Sequence, residues 1–517
     1  MKRRPNQIKA LADTTSAIDA GKNRIVVVSP TGSGKTLMLL DMIDWARSKS
    51  WPVTLYTHRR MLLEQTRKVL SDNGMWASVR ASGYSFKEND LFADVAICMT
   101  QTELSQVYKN GNRDLHRGKL VLIDEPHIQT GQSMVNIVND HESRGAAIVS
   151  YTATPLDIWH IYRNMIVACT NSEAREFGAL VPAKTFAPDE PDLKHIRRYP
   201  PGEDLTESDA VRLMMRPGIF GRVINWYRKI NPEERPTLLF GPGVAESTWF
   251  CEQFHNNGIS AAHIDGENVV VDGKSYPSSQ ALRDMILERH KDGDIRVICN
   301  RFVLREGIDM PWASHCIFAT VFGSLTSYIQ SGGRMLRSYP GKQLATIQDH
   351  GGNWWRHGSL NQNWQWEVGK TCRSIADERV GSMTGSLDEE SGEYTPPEVS
   401  PIACPMCGTC RNSGRVCPSC GYAHSGDRRS VIQINGELVS QDGPIYEPKK
   451  VSNRTDEQKK WDRMYYRMRN AGKTFRQAEV LFRKEHGTWP QRCLHLMPKC
   501  GDDWKKKIAE VPNSALT

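Results

Sequence analysis

The chain has no run of about 18 apolar residues, the length a helix needs to cross a bilayer, so no membrane-spanning helix is expected. It begins Lys2-Arg3-Arg4, but Pro5-Asn6-Gln7 follow where a secretory signal would have an apolar stretch, and none is expected. A disulfide framework is also lacking. Of 13 cysteines, Cys404, Cys407, Cys410, Cys417 and Cys420 crowd together, and the rest are scattered, several in strand-like runs. That pattern suits a reducing, cytoplasmic compartment with one metal site. Most of the chain also lacks a charge bias. The net +8 resides in residues 447–517, where 17 Lys and Arg stand against 9 Asp and Glu. Such a tail suits a polyanion partner, or else a solvated helical face. With 39% apolar and 24% charged residues the composition is that of an ordinary globular protein. A length of 517 residues is too great for one core and suggests about three domains.

What is present begins with two blocks of short apolar runs alternating with amphipathic stretches. The first block holds Ile25–Val28, Val53–Tyr56, Val95–Met99, Leu120–Ile123 and Ala146–Tyr151, with helices expected over Lys35–Arg47 and Arg60–Leu70. The second holds Thr237–Phe240, Ala261–Ile264, Arg296–Cys299, Cys316–Ala319 and Leu344–Gln348, with helices over Val244–His255 and Ser278–His290. Near-continuous apolar strands alternating with helices predict parallel sheets covered on both faces, hence two α/β domains in tandem. The expected boundaries are 1–165, 166–370, a flexible linker over 371–402, a cysteine module over 403–440 and a basic helical tail over 441–517. Asp272-Gly273 predicts a hairpin turn within Asp265–Pro277, a small β insertion.

The segment Ser29-Pro30-Thr31-Gly32-Ser33-Gly34-Lys35-Thr36 follows the first strand and opens a helix, the context a phosphate-binding loop requires. Its small residues let backbone N–H groups approach an anion closely. Lys35 suits the β- and γ-phosphates of ATP, and the Thr36 hydroxyl suits Mg²⁺. About ninety residues on, Leu120–Ile123 ends in Asp124-Glu125-Pro126-His127. Asp124 is the candidate Mg²⁺ ligand and Glu125 the candidate base that deprotonates the attacking water. The bland alternative for an Asp-Glu pair is a surface turn, and the four apolar residues before it argue against that.

At this point the chain resembles superfamily 2 helicases and translocases: phage recombination helicases, repair translocases and the motor subunits of type I and III restriction enzymes. The resemblance spans about residues 3–355. It implies two RecA-like domains and a set of roles. Arg4-Pro5-Asn6-Gln7 resembles the adenine-reading segment, with Gln7 as reader. Thr57-His58-Arg59, with Leu62, Leu63 and Gln65 behind, resembles a strand-contacting motif, and Thr100-Gln101 another; plain strand-end caps are the alternative. Thr152-Ala153-Thr154-Pro155 resembles the motif that couples hydrolysis to domain movement. Leu304–Pro311, with Gly307 and Asp309, resembles the motif facing cleft and nucleic acid. Gln330-Ser331-Gly332-Gly333-Arg334-Met335-Leu336-Arg337 resembles the arginine-finger motif, with Gln330, Arg334 and Arg337 as its chemistry. Pro126 and Ser331 depart from the usual pattern, and no nuclease motif is found.

Cys404-x2-Cys407 and Cys417-x2-Cys420 have the spacing of a zinc ribbon, four thiolates closing a tetrahedral Zn²⁺ site, with Cys410 able to stand in for Cys407. In the tail, Trp461, Met464, Tyr465 and Met468 recur at helical spacing, which favours core over base stacking, with arginines outside. The tryptophans at 354, 355, 364 and 366 suit packing on the second domain better than a stacking wedge. The expected function is an ATP-dependent DNA helicase or translocase of phage or bacterial replication, recombination or repair, with DNA favoured over RNA. The rivals are a duplex-DNA translocase subunit of a restriction or defence complex, and an RNA helicase or nucleotide-gated adapter.

Overall fold

The computed structural model describes residues 3–58, 60–84, 93–111, 114–188, 202, 204–214, 217–301 and 310–384. It adds short pieces at 386–387, 394–395, 402–403, 410–411, 438–441, 481 and 484–485. In the first domain the strands are Ile25–Val28 (β1), Val53–Thr57 (β2), Ser78–Arg80 (β3), Val95–Met99 (β4), Leu120–Asp124 (β5), Ala147–Thr152 (β6) and Asn164–Val167 (β7). They form one sheet in the order β3-β4-β2-β5-β6-β1-β7, with every neighbouring pair parallel.

Alternation along β1 explains its unbroken apolar sequence. Ile25 and Val27 join one cluster with Leu39 and Ile43 of the helix Lys35–Ser48. Val26 and Val28 join another with Ile137 and Val138 of the helix Gln132–Ser143. Both faces are covered, so neither carries polar residues. Each fully buried Val or Ile stabilises the fold by roughly 1.5–3 kcal/mol.

The second domain repeats the plan with Ala183–Pro188 (β8), Thr237–Phe240 (β9), Ala261–Ile264 (β10), Asn268–Val271 (β11), Lys274–Pro277 (β12), Val297–Asn300 (β13), His315–Phe318 (β14) and Ala345–Asp349 (β15). From β10 to β8 the sheet is parallel, in the order β10-β13-β9-β14-β15-β8. The expected hairpin is present: Asp272 (φ 52°) and Gly273 (φ 73°) carry the chain from β11 to β12 with two positive φ angles in succession. It is no separate insertion, because β11 pairs with β10 and so extends the main sheet.

Several elements depart from the sequence expectation. β3, β7 and β8 were not anticipated, and β7 straddles the expected boundary at residue 165 while pairing with β1. Residues 372–384, expected as linker, form a helix. Cys372 and Ile375 sit in or against the second domain's core. Arg379 donates from Nε and Nη2 to the carbonyls of Trp355 and Trp354 (2.9 and 3.1 Å). The strand Leu438–Ser440 pairs antiparallel with β8, and Gln441 N–H donates to the Thr185 carbonyl at 2.9 Å. Both flanks of residues 385–437 are therefore fixed to the second domain.

Within that stretch Ile402–Ala403 pairs antiparallel with Cys410–Arg411. Cys404, Cys407, Cys417 and Cys420 lie outside the described residues, as do Trp461, Met464, Tyr465 and Met468. No described helix is long and apolar enough to cross a membrane.

Candidate functional site

The C-terminal ends of the parallel strands of the first sheet share one edge, the place where open α/β sheets bind ligands. The β1 turn is the phosphate loop. Gly32 (φ 90°) and Gly34 (φ 97°) both adopt backbone that side chains disfavour. Gly34 is also the N-cap of the helix Lys35–Ser48, so the helix N-terminus opens directly on the loop. The loop is braced from within. Ser33 Oγ donates to the Pro30 carbonyl at 2.6 Å and lies 2.6 Å from Ser29 Oγ. Asn6 Nδ2 donates to the Ser33 carbonyl at 3.1 Å. Gln7 is buried, its Oε1 accepting from Arg4 N–H at 2.8 Å and its Nε2 reaching the Gly34 carbonyl at 3.4 Å. The adenine-segment residues thus sit against the phosphate loop.

Two strands away, β5 ends at Asp124 and the chain turns at Glu125, which holds a left-handed conformation (φ 48°, ψ 63°). A residue before proline is kept from the right-handed helical region, and Pro126 begins a short 3₁₀ turn, Pro126–Ile128, at the position where proline fits best. The departure at Pro126 is thus a local fit of the chain. Glu125 Oε1 lies 3.5 Å from Lys35 Nζ. Its Oε2 lies 3.4 Å from His127 Nδ1, which is 3.1 Å from Thr152 Oγ1. Burial pushes the Asp124 carboxyl well above the usual carboxylate range, helped by the neighbouring Glu125 charge, while Lys35 and Arg334 pull it back. Loop lysine, both carboxylates and an arginine of the second domain thus share one electrostatic neighbourhood. Thr152 Oγ1 also accepts from Thr154 N–H at 3.0 Å, so the 152–154 turn is joined to the Glu125 carboxylate through His127.

The second domain presents the helix Leu325–Met335 to this edge, capped by Ser324, whose hydroxyl accepts from Ser327 N–H at 3.1 Å. Thr31 Oγ1 and Gln330 Oε1 meet across the cleft at 3.4 Å. A Cβ added at Gly333 would come within 2.7 Å of Thr31 Cβ, and one at Gly332 within 2.5 Å of Leu360. The glycine pair lets the helix lie flat against the phosphate loop on one side and Leu360 on the other. A Cβ at Gly32 would lie 2.6 Å from Arg337 Cγ, so that arginine already rests on the loop. Trp364 and Trp366 stack on each other (centroids 5.8 Å apart), and Trp366 packs on the apolar clusters of both domains. Trp355 donates from Nε1 to the Pro188 carbonyl at 2.8 Å.

The strand-contact motifs divide. Thr57 and Thr100 are buried, His58 is half-buried and Gln101 is exposed. Thr100 Oγ1 lies 3.2 Å from the Thr57 carbonyl and is also hydrogen-bonded to Gln129 Oε1. Gln129 Nε2 donates to the Asp124 carbonyl at 3.1 Å. Sequence reading missed Gln129. Its signal was a polar residue between Ile128 and Thr130, just after the carboxylate box. Arg59, Gly307 and Asp309 lie outside the described residues, and nothing is described of the Leu62 and Gln65 side chains.

Fold and site together define a tandem-domain phosphate-loop protein with its loop, carboxylates and opposing arginines gathered at one cleft. Residues 1–157 match the family model described as the type III restriction enzyme res subunit, and residues 222–339 the helicase conserved C-terminal domain. These matches support the resemblance to superfamily 2 helicases, with ATP as the substrate it implies and Mg²⁺ as the cofactor. The chain is 26% identical over 357 residues to a Lactococcus phage "51.5 kDa protein", covering 66% of this chain and 69% of the relative. It is 24% identical over 375 residues to the Saccharomyces cerevisiae protein named "Putative ATP-dependent helicase IRC3", covering 67% of this chain and 51% of the relative. The match thus takes in about half of the yeast protein. Among solved structures, the type ISP restriction-modification enzyme LlaBIII bound to DNA aligns with TM-score 0.49 at 17% identity, over 67% of this chain and 27% of that one.

Proposed function

We propose that the chain is an ATP-driven DNA motor that translocates on DNA and remodels or unwinds it. The observation that carries this is the meeting of the two domains on the phosphate loop: Gln330 against Thr31, Gly333 beneath it, and Arg337 against Gly32. A site built from two bodies can convert hydrolysis into relative movement, because its parts align only when the cleft is shut.

In this reading the loop N–H groups and Lys35 hold the triphosphate, and Gln7 supports the loop from behind. Mg²⁺, held by Thr36 and Asp124, would neutralise charge on the phosphates. The pairing of Lys35 with Glu125 gives way as the triphosphate takes the lysine, which frees the Glu125 carboxylate to accept a proton from water. Arg334 and Arg337 stabilise charge on the transferring phosphoryl group. His127 and Thr152 pass the state of Glu125 to the 152–154 turn. Gly307, Asp309, His58, Arg59 and Gln101 supply the contacts to the cleft and strand in this proposal, on the strength of their motifs.

The test is ATP turnover with single-stranded, forked and junction DNA, and with RNA, for wild type and Glu125→Gln. Turnover stimulated by DNA and lost on substitution, with ATP binding kept, is the expected result. Wild type that no nucleic acid stimulates would sink the motor reading. The res-subunit match over residues 1–157 favours a second form, a translocase on duplex DNA in a restriction or defence complex. Stimulated turnover without separation of a forked duplex would select it.

A place in replication, recombination or repair rests on the family resemblance. The zinc ribbon rests on the cysteine spacing, and metal analysis of the purified chain checks it: about one zinc per chain is expected from four thiolates, and none refutes it.

A further inference from the structure

We propose that Gln129 is a positioning residue that transmits the state of the strand-end motifs at Thr57 and Thr100 to the two carboxylates of the hydrolysis site. The inference rests on the motor reading above.

Asp124 and Glu125 share one peptide unit, and that unit is held at both poles. Its N–H, from Glu125, donates to the Tyr151 carbonyl of β6 at 3.1 Å. Its C=O, from Asp124, accepts from Gln129 Nε2 at 3.1 Å. The Tyr151 end belongs to the rigid sheet. The Gln129 end is a side chain, and so is the adjustable one. Rotation of this peptide re-aims both carboxylates together, because they flank it.

The other end of Gln129 meets a choice. Thr100 Oγ1 has two acceptors in reach, Gln129 Oε1 and the Thr57 carbonyl at 3.2 Å. A hydroxyl has one proton to donate. It can serve Gln129 or Thr57, and serving one releases the other. All three residues are buried, so water does not stand in for the lost partner. The Thr57 hydroxyl is itself buried with no hydrogen-bond partner, which marks the junction as incompletely satisfied as it stands. The strands adjoin in the sheet, β4 beside β2 and β2 beside β5, so a shift at either strand end is felt within one strand spacing. A strand of nucleic acid drawn across this edge would move the ends of β2 and β4, switch the Thr100 proton, and through Gln129 change the aim of Asp124 and Glu125. The buried Thr100 is thus a relay and not a surface grip.

The experiment compares turnover with and without single-stranded DNA for wild type, Gln129→Met, Thr100→Val and the double variant. Methionine keeps the unbranched shape and valine the branched one, while both lose the hydrogen bonds. The readout is the ratio of stimulated to basal turnover. Each single variant is expected to lower that ratio about fivefold, the worth of one net hydrogen bond. The double variant is expected to be no worse than either alone, since both break one link. If Gln129→Met does not fold, Thr100→Val reads the same ratio. A ratio equal to wild type overturns the inference. So does a parallel loss of basal and stimulated turnover, which marks a purely structural role, and so do effects that multiply in the double variant. None of these touches the motor reading, which fails separately if wild type shows no stimulation.

Discussion

Gly32 and Gly333 stand on opposite sides of the cleft, and each is required by what it faces. Gly32 combines φ 90° with the Arg337 side chain where its Cβ would be. Gly333 is helical, so alanine suits its backbone, but the added carbon would fall 2.7 Å from Thr31 Cβ. Gly333→Ala is therefore expected to wedge the cleft and leave the loop intact. Roughly 1–3 kcal/mol of overpacking corresponds to a loss in turnover of about fivefold to a hundredfold. Binding of a fluorescent ATP analogue should stay near wild type, and a parallel loss of binding would contradict this. Gly32 was legible in the sequence because a phosphate-type loop needs glycine, and Gly333 only through its place in the motif that resembles the arginine-finger segment. Gln129 was not legible, since its partners are a backbone carbonyl and a threonine that only the fold brings near. Thr57 and Thr100 were legible as motif residues, but their burial was not.

At the scale of elements, the long apolar strands β1, β2, β4, β5, β9 and β13 declared themselves, because strands covered on both faces read as unbroken apolar runs. β3 is only three residues long, β7 reads Asn164-Met165-Ile166-Val167 with every residue partly exposed, and β8 alternates buried with half-buried positions. Their pattern is that of edge or near-edge strands, which carry a weaker signal. The helix Cys372–Thr384 was hidden by its place at the head of a Gly-, Ser- and Pro-rich stretch. β8 owes its cover to Leu438–Ser440, where Leu438 is buried. Ending the chain after residue 384 should uncover β8 and leave a row of free N–H and C=O groups that invites pairing between molecules. Sedimentation velocity is expected to show self-association of that truncated chain and a monomer–oligomer balance unlike that of a chain ended after residue 441. Identical behaviour of the two would rule out a protective role for the added strand.

For the molecule as a whole, buried histidine sets the response to acid. Burial lowers His141, His315, His350 and His357 to about 3 and His290 to about 4. Their ordinary value in an unfolded chain is about 6.5. Above that pH both states are neutral and the stability is intact. Below it the unfolded chain takes up protons that the folded one refuses, so stability falls as pH drops from about 6.5 toward 3–4. Each histidine costs up to about 1.4 kcal/mol per pH unit in that window. Asp349, raised by burial to about 6, and Asp124, raised by burial and the neighbouring Glu125 charge, act oppositely and offset part of this loss. The thermal midpoint is expected to fall steadily between pH 6.5 and pH 5, and a flat profile would show that these histidines are hydrated or paired in the folded state.

The strand Leu438–Ser440 also decides what the cysteine-bearing stretch can be. A segment anchored once, beyond a flexible linker, would be a tether with a free end. Residues 385–437 are instead flanked on both sides by pieces held to the second domain, the helix Cys372–Thr384 and the strand Leu438–Ser440 paired with β8. Under the motor reading proposed above, anything bound between those two anchors would travel with the second domain.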